Sequence, residues 1–392
     1  MPSRIYPCSA QVLVPATNVR RPPRDVVRSL QVPDFSTSDE YLKTSVPRVL
    51  EQRTRLGLDG LVGGLECVII NTEPERQQAA VHEILRFTGL ECTAVFEDEE
   101  YRTYILKTPG SADFLIRSRK NPDNPFTPFN LFPRSRHLPN TRLETFVFRT
   151  NDLDEYVAIQ KARGVRFLTD EILDFGSYTF IQTEPSRFTG NSLGFIQWQN
   201  RRRGDYVTAA SDVLGISVQK PDLPHLRNIQ HFDHAATRLR AQNRDAAIIE
   251  FMELTNYTFE FAIYVKVFNS ITSVARLSKT DFAMVFTTGI ADYVSEAESG
   301  PTEKFVHHYG PRVHHLAFQT ERIEETYAAL RAEGMEFFIE LVGSPAEGLK
   351  QTFSQPAEQT LLVNEYIYRY GDFEGFFTRS NVTLLTGATA RQ

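Results

Sequence analysis

Cysteine and tryptophan are scarce in this sequence: Cys8, Cys67, Cys92 and the single Trp198 are all that 392 residues contain. The cysteines lack metal-type spacing and leave an odd one over, so neither a zinc cluster nor a disulfide framework is expected, and a reducing cytoplasm suits the chain. No apolar run reaches the roughly 18 residues a membrane helix needs. The N-terminus, where Arg4 and Pro7 precede a short apolar patch that stops at Pro15, reads as lacking an export signal. Positive charge is not in excess either. With a formal net charge of -6 and one short basic run, Arg201 to Arg203, expected as a solvated loop, neither nucleic acid nor an anionic membrane is an expected partner.

What the chain does have is length and apolar content. Its 41% hydrophobic residues are enough for the cores of two ordinary domains. Phenylalanine and tyrosine number 29 and 15, which suits core filling first and an aromatic-lined pocket second.

The sequence repeats itself. "ETFVFRTNDLDEYVAIQKARGVRFL" from Glu144 overlays "HHLAFQTERIEETYAALRAEGMEFF" from His314 without a gap in the Phe, Thr and Gly positions. Each reads as a strand, a turn, an amphipathic helix stopped by glycine and another strand. The same opening recurs in "ECVIINTEPERQQAAVHEILRF" from Glu66 and, more loosely, in "FDHAATRLRAQNRDAAIIEF" from Phe232. Short β-rich runs follow each helix, so four βαβββ modules are expected. A module that cannot bury its sheet face alone must pair, which makes an α+β chain with two curved, open-barrel sheets of two modules each. We expect an N-terminal arm and short helix over 1–60, a structural pair of modules over 61–205, and a second pair over 225–392 carrying the site. The polar, proline-containing stretch between the pairs reads as a connection.

Fold repetition explains shared positions, so chemistry is sought where the repeats differ. In "RVHHLAFQT", alternation assigns His314, Leu316 and Phe318 to a core-facing side and His315, Ala317 and Gln319 to a cavity wall. His315 corresponds to Thr145 and Cys67 in the first half, and the third module has His234. In "TLLVNEYIYRY", Glu365 shares a face with Val363 and Ile367, where an unpartnered buried carboxylate would cost several kcal/mol. The equivalent strand "SLGFIQWQ" has no carboxylate. Two imidazoles and a carboxylate on one face of an octahedral ion leave three positions open, the arrangement of non-heme Fe(II) oxygenases. His234, His315 and Glu365 are therefore the candidate ligands, while His231, His307, His308 and His314 read as structural or solvated.

With "FDHAA", "VHHLAF" and "NEYIYRYGDFEGFF" in view, the sequence resembles the vicinal oxygen chelate superfamily, and within it the 4-hydroxyphenylpyruvate dioxygenase and hydroxymandelate synthase group, over roughly residues 60–380. The resemblance implies Fe(II) as cofactor, O2 as co-substrate and a 2-oxo acid, of aromatic character, as substrate. That acid would be oxidatively decarboxylated and then hydroxylated on the same molecule. The resemblance carries substrate contacts onto Ser270 of "FNS", Gln351 and Phe353 of "LKQTFS", and Phe373 and Phe377 on a gating C-terminal helix. It departs at Asp372, in "GDF", and at "PTEKF", where Thr302 or Glu303 stands for an expected glutamine. A homo-oligomer, a dimer, is the expected assembly. Extradiol cleavage of a catechol, needing His231 or His307 brought in by folding, and non-catalytic binding of a small molecule are the competing readings.

Overall fold

The computed structural model describes residues 38–199, 203–371 and 373–392. Most of the expected N-terminal arm, together with Cys8, Arg201, Arg202 and Asp372, lies outside the described residues. Helix α1 (Glu40–Leu56) comes first; it stops at Gly57, whose φ of 76° is the left-handed region glycine tolerates. Arg53 on α1 is buried and donates through Nη1 to the carbonyls of Thr255 and Tyr257, at 3.0 and 2.8 Å, fastening α1 to the second half of the chain.

Four βαβββ modules follow, as the repeats imply. The first is β1 (Val62–Asn71), α2 (Gln77–Phe87), β2 (Glu91–Glu97), β3 (Tyr101–Lys107) and β4 (Asp113–Arg119); the second is β5 (Arg142–Thr150), α3 (Leu153–Ala162), β6 (Leu173–Asp174), β7 (Tyr178–Gln182) and β8 (Ser192–Trp198). The connection adds β9 (Asp212–Val213) to the edge of the first sheet. The third module is β10 (Ile229–Arg238), α4 (Arg244–Leu254), β11 (Thr258–Val265), β12 (Ser270–Arg276) and β13 (Ala283–Gly289). After α5 (Pro301–Tyr309) comes the fourth: β14 (Arg312–Thr320), α6 (Ile323–Ala332), β15 (Val342–Ser344), β16 (Leu349–Phe353) and β17 (Val363–Arg369), with α7 (Arg379–Ala388) after it. None of the described helices is long and apolar enough to cross a membrane.

The strand orders are β6-β7-β8-β5-β1-β4-β3-β2-β9 and β11-β12-β13-β10-β14-β17-β16-β15. In both sheets the opening strands of two modules run antiparallel at the centre, each flanked by its own module's last strand in parallel. One face of each sheet, with the module helices, contributes to a single shared core in which Phe114 meets Phe232 and Phe318, and Phe148 meets Phe251. Residues 37–392 accordingly form one compact unit rather than two separable ones. Helix α7 packs against β11 and against β15, the two edge strands of the second sheet.

Each of the four central strands carries an extra residue next to its site position, and β1 and β10 carry a second one nearer their start. The register skips Glu66 and Glu144 in the β1–β5 pair, and Asp233 and His314 in the β10–β14 pair. Such bulges interrupt the two-residue alternation and put neighbouring side chains on the same side. Here lies a correction to the sequence reading. His314 does not join Leu316 and Phe318 in the core; it sits beside His315, Nδ1 to Nδ1 at 2.9 Å, and both rings approach Phe353.

Candidate metal centre

Strands β10, β14 and β17 are neighbours, and their register places Ala317 between His234 and Glu365 in one cross-strand row. His315 stands two residues earlier on the same face of β14. With only a methyl group between them, the longer side chains on either side can converge. His234 Nε2 lies 3.1 Å and His315 Nε2 3.2 Å from the same oxygen, Glu365 Oε2. All three residues are buried, and their ligand atoms fall within 4.8 Å of one another.

Each imidazole is oriented from behind. His234 Nδ1 lies 2.7 Å from Asp233 Oδ1, and Asp233 is itself clamped by Arg369, at 2.6 Å to Oδ2 and 3.1 Å to Oδ1. Burial penalises the Asp233 anion, yet Arg369 and His234 hold its carboxyl well below the usual carboxylate range. Burial also penalises a charged His234, but the carboxylates of Glu365 and Asp233 outweigh it and raise its pKa to about 9. His314 and His315 are driven the other way. Burial, reinforced by neighbouring positive charge, keeps both imidazoles neutral.

One set of tautomers satisfies these contacts together. His314 Nε2 lies 2.8 Å from Gln392 Oε1, an acceptor, so His314 carries its proton there and accepts at Nδ1. His315 must then donate from Nδ1, which leaves a bare lone pair on Nε2 facing the Glu365 carboxylate. In that tautomer two acceptors face each other at 3.2 Å, a contact that a bound cation would satisfy. The other carboxylate oxygen, Glu365 Oε1, is buried with no hydrogen-bond partner at all. The donor set, two imidazoles and a carboxylate with oriented second partners, fits a divalent first-row metal ion.

The first half shows the same scaffold without the site. Cys67 and Thr145 take the histidine positions, and Gly194 pairs with Val147 as Glu365 pairs with Ala317. A Cβ on Gly194 would stand only 2.9 Å from the Phe180 ring, and Tyr178, Tyr206 and Trp198 pack into the space. The bulge acids there pair with arginine instead: Glu144 with Arg119, at 2.6 and 2.7 Å, and Glu66 with Arg203.

The expected substrate residues are placed as follows. Phe353 lies 4.6 Å, ring centre to ring centre, from His315, and Phe377 lies 5.2 Å from His234. Gln351 is buried on the same face of β16 as Phe353, its Oε1 without a partner. Ser270, fully buried at the start of β12, approaches the Thr302 hydroxyl at 3.4 Å. Phe373 packs with Ala317, Leu349 and Ile367. A second correction concerns its setting. Phe373 and Phe377 are not on a helix: Gly371 and Gly375 break the chain there, and α7 starts only at Arg379, its N-cap Thr378 accepting from the Asn381 N–H. The aromatic cover is therefore a loop laid over the triad, joined by Phe376 at 5.3 Å from His234.

Asp233, His314, Arg369, Gln392 and Phe376 escaped the sequence reading. A usable signal existed for the first two, since a polar residue precedes the site position in every module: Glu66, Glu144, Asp233 and His314. His231 is exposed, and His307 stacks on Tyr293 at 4.0 Å, exposed on α5.

The fold is that of the vicinal oxygen chelate proteins, with two open-barrel sheets. No protein-family profile matches the chain, and no curated protein does. Solved structures do. A triple mutant of 4-hydroxymandelate synthase from Streptomyces coelicolor superposes with a TM-score of 0.64 at 15% identity, over 84% of this chain and 98% of that one. A xylose isomerase-like TIM barrel/4-hydroxyphenylpyruvate dioxygenase fusion protein gives 0.59 at 13% identity, over 90% of this chain and 58% of that one.

Proposed function

We propose that this protein is an Fe(II)-dependent dioxygenase of the 4-hydroxyphenylpyruvate dioxygenase kind, decarboxylating a 2-oxo acid and hydroxylating the same molecule. The observation that carries the reading is the convergence of His234 Nε2 and His315 Nε2 on one oxygen of a buried Glu365 whose other oxygen has no partner. His234, His315 and Glu365 would hold Fe(II), which when bound would supply the redox chemistry that couples decarboxylation to hydroxylation. Of the two oxygen atoms, one ends in the shortened acid's carboxylate and one in the new hydroxyl, with CO2 released.

The chain's own part is positional. Asp233 and the His315–His314–Gln392 relay keep both imidazoles in the tautomer that presents Nε2, which fixes the open face of the site. Phe353, Phe376 and Phe377 exclude water from a reaction whose oxidant would otherwise be quenched. Gln351 has a free buried acceptor on that face, and Ser270 a hydroxyl, for orienting the acid. Opening the 373–377 loop is the entry step, because the rings over His234 lie where a ligand must pass.

The test is anaerobic loading with Fe(II), followed by optical titration with a panel of 2-oxo acids for the weak visible absorption such acids give on this metal. We expect one equivalent of iron and absorption with at least one acid, both lost in His315→Ala and Glu365→Ala. No bound iron, or iron that no 2-oxo acid perturbs, overturns the reading in favour of simple ligand binding or catechol chemistry.

A further inference from the structure

A cavity of about 360 Å³ opens between the two halves of the chain, and none of the residues lining it belongs to the triad or to its aromatic cover. One wall is the loop 183–191 between β7 and β8, and the other is α4, with Leu193, Met284 and Phe286 as an apolar floor. That is the size and the mixed lining of a small-molecule site. The repeats supply a comparison for it. Helices α2 and α4 both have 11 residues, and the seventh of each is a glutamate, Glu83 and Glu250. Each glutamate reaches the loop ahead of the last strand of a module in the other half, 354–362 for Glu83 and 183–191 for Glu250.

The two places are filled differently. Both oxygens of Glu83 accept backbone N–H groups, from Glu358 at 2.9 Å and Gln359 at 3.1 Å. At Glu250 the loop stands off by one side chain: Ser186, at the loop position of Ala357, takes the Phe188 N–H at 3.2 Å and passes its own proton to Glu250 Oε2. Glu250 Oε1 receives no hydrogen bond among the described residues, and burial raises the pKa of this carboxyl against the pull of Ser186 and Arg187. The other carboxylates on the wall have arginine partners, Glu184 with Arg166 at 2.8 Å and Glu253 with Arg163 at 3.5 Å. A second idle acceptor lines the same cavity. Asn191, where the fourth module has Leu362, is 4% exposed; its Nδ2 donates to the Leu143 carbonyl at 2.7 Å, but its Oδ1 has no partner. Its own carbonyl accepts the Ser186 N–H at 2.9 Å, so Ser186 ties the amide and the Glu250 carboxylate to one turn of the loop.

We infer that this cavity binds a small organic cation, a primary ammonium on an apolar body, with the ammonium on Glu250 and Asn191 and the body against Leu193, Phe251 and Phe286. An ammonium brings one positive charge and several N–H donors, which is what an unpaired carboxylate and an idle amide oxygen lack. A hydroxyl in its place brings a donor without charge, and a trimethylammonium brings charge without a donor. Selectivity for the amine then comes from acceptors left unmatched by either analogue. The site is separate from the metal centre, and the inference does not rest on the 2-oxo acid reading.

The experiment compares 2-phenylethylamine, 2-phenylethanol and the N,N,N-trimethylated amine by calorimetry on the full-length protein at neutral pH. The amine is expected to bind at least about tenfold tighter than either analogue, the ordinary size of a charge-assisted hydrogen bond. In Glu250→Gln, which keeps the side chain's shape and removes its charge, the preference over the alcohol should collapse towards one. The three-ligand comparison in the wild-type protein stands if the variant fails to fold. Equal binding of the amine and either analogue, no binding of the amine, or a preference that survives Glu250→Gln overturns the inference. Each of those results leaves the reading of the metal centre as it was.

Discussion

Proton competition at His234 offers the sharpest test of the metal centre. In the metal-free protein this imidazole lies between two carboxylates and titrates at about 9, so at neutral pH it holds a proton on the nitrogen that a metal needs. Each pH unit below that pKa costs a factor of about ten in apparent metal affinity. Lowering the pH from 8 to 6 should therefore weaken binding about 100-fold. An ordinary histidine, titrating near 6.5, would cost only about fourfold over the same interval. The assay is anaerobic Fe(II) or Co(II) titration against a competing chelator, with a pH indicator counting released protons; close to one proton per metal is expected at pH 7. Asp233→Asn, which removes one of the two charges raising the pKa, should flatten the dependence. A fall of less than about tenfold with no proton release would refute the assignment of that proton to His234, and with it the geometry on which the site depends.

Two further outcomes follow from residues away from the three ligands. Gln392→Leu takes away the acceptor that fixes the His314 tautomer, and should lower metal affinity by about 10- to 100-fold, the usual effect of a lost supporting hydrogen bond. The same titration checks it, and an unchanged affinity would mean that Gln392 does not orient the two histidines. Arg53→Met should destabilise the protein by about 2–4 kcal/mol in urea unfolding, because the carbonyls of Thr255 and Tyr257 lose a charged donor. A loss below about 0.5 kcal/mol would mean that α1 contributes nothing to the second half's stability.

Much of the architecture was legible because it is written four times. The overlay of Phe148 on Phe318 and of Gly164 on Gly334 was enough to find the modules and to show that His234, His315 and Glu365 occupy positions filled by Cys67, Thr145 and an uncharged strand in the first half. The bulges show only as the polar residue ahead of each site position, Glu66, Glu144, Asp233 and His314, which is visible when the four modules are laid together; strict alternation alone sends His314 to the wrong side. Arg369 and Gln392 are distant in sequence from the histidines they orient, and nothing local marks them. It is the family resemblance that places the aromatic cover on a helix. What decides its structure is Gly371 at a φ of 52° and an N-cap at Thr378, which delay the helix until the rings are already over the site. Arg142 likewise reads as a surface residue by type, yet it is buried and donates to carbonyls in both halves, those of Phe129, Thr189 and Pro311.

Helix α7 touches both β11 and β15, the strands whose outer edges no other described strand pairs. It is thus the seam of the second barrel as well as the root of the aromatic cover, since Thr378 at its cap is the next residue after Phe377. One amphipathic helix therefore guards colloidal behaviour and chemistry together: strand edges left bare invite pairing with other molecules. Any change that loosens α7 enough to admit larger molecules to the proposed site also uncovers two sheet edges, so the breadth of ligand this scaffold could accept would be bounded by its solubility.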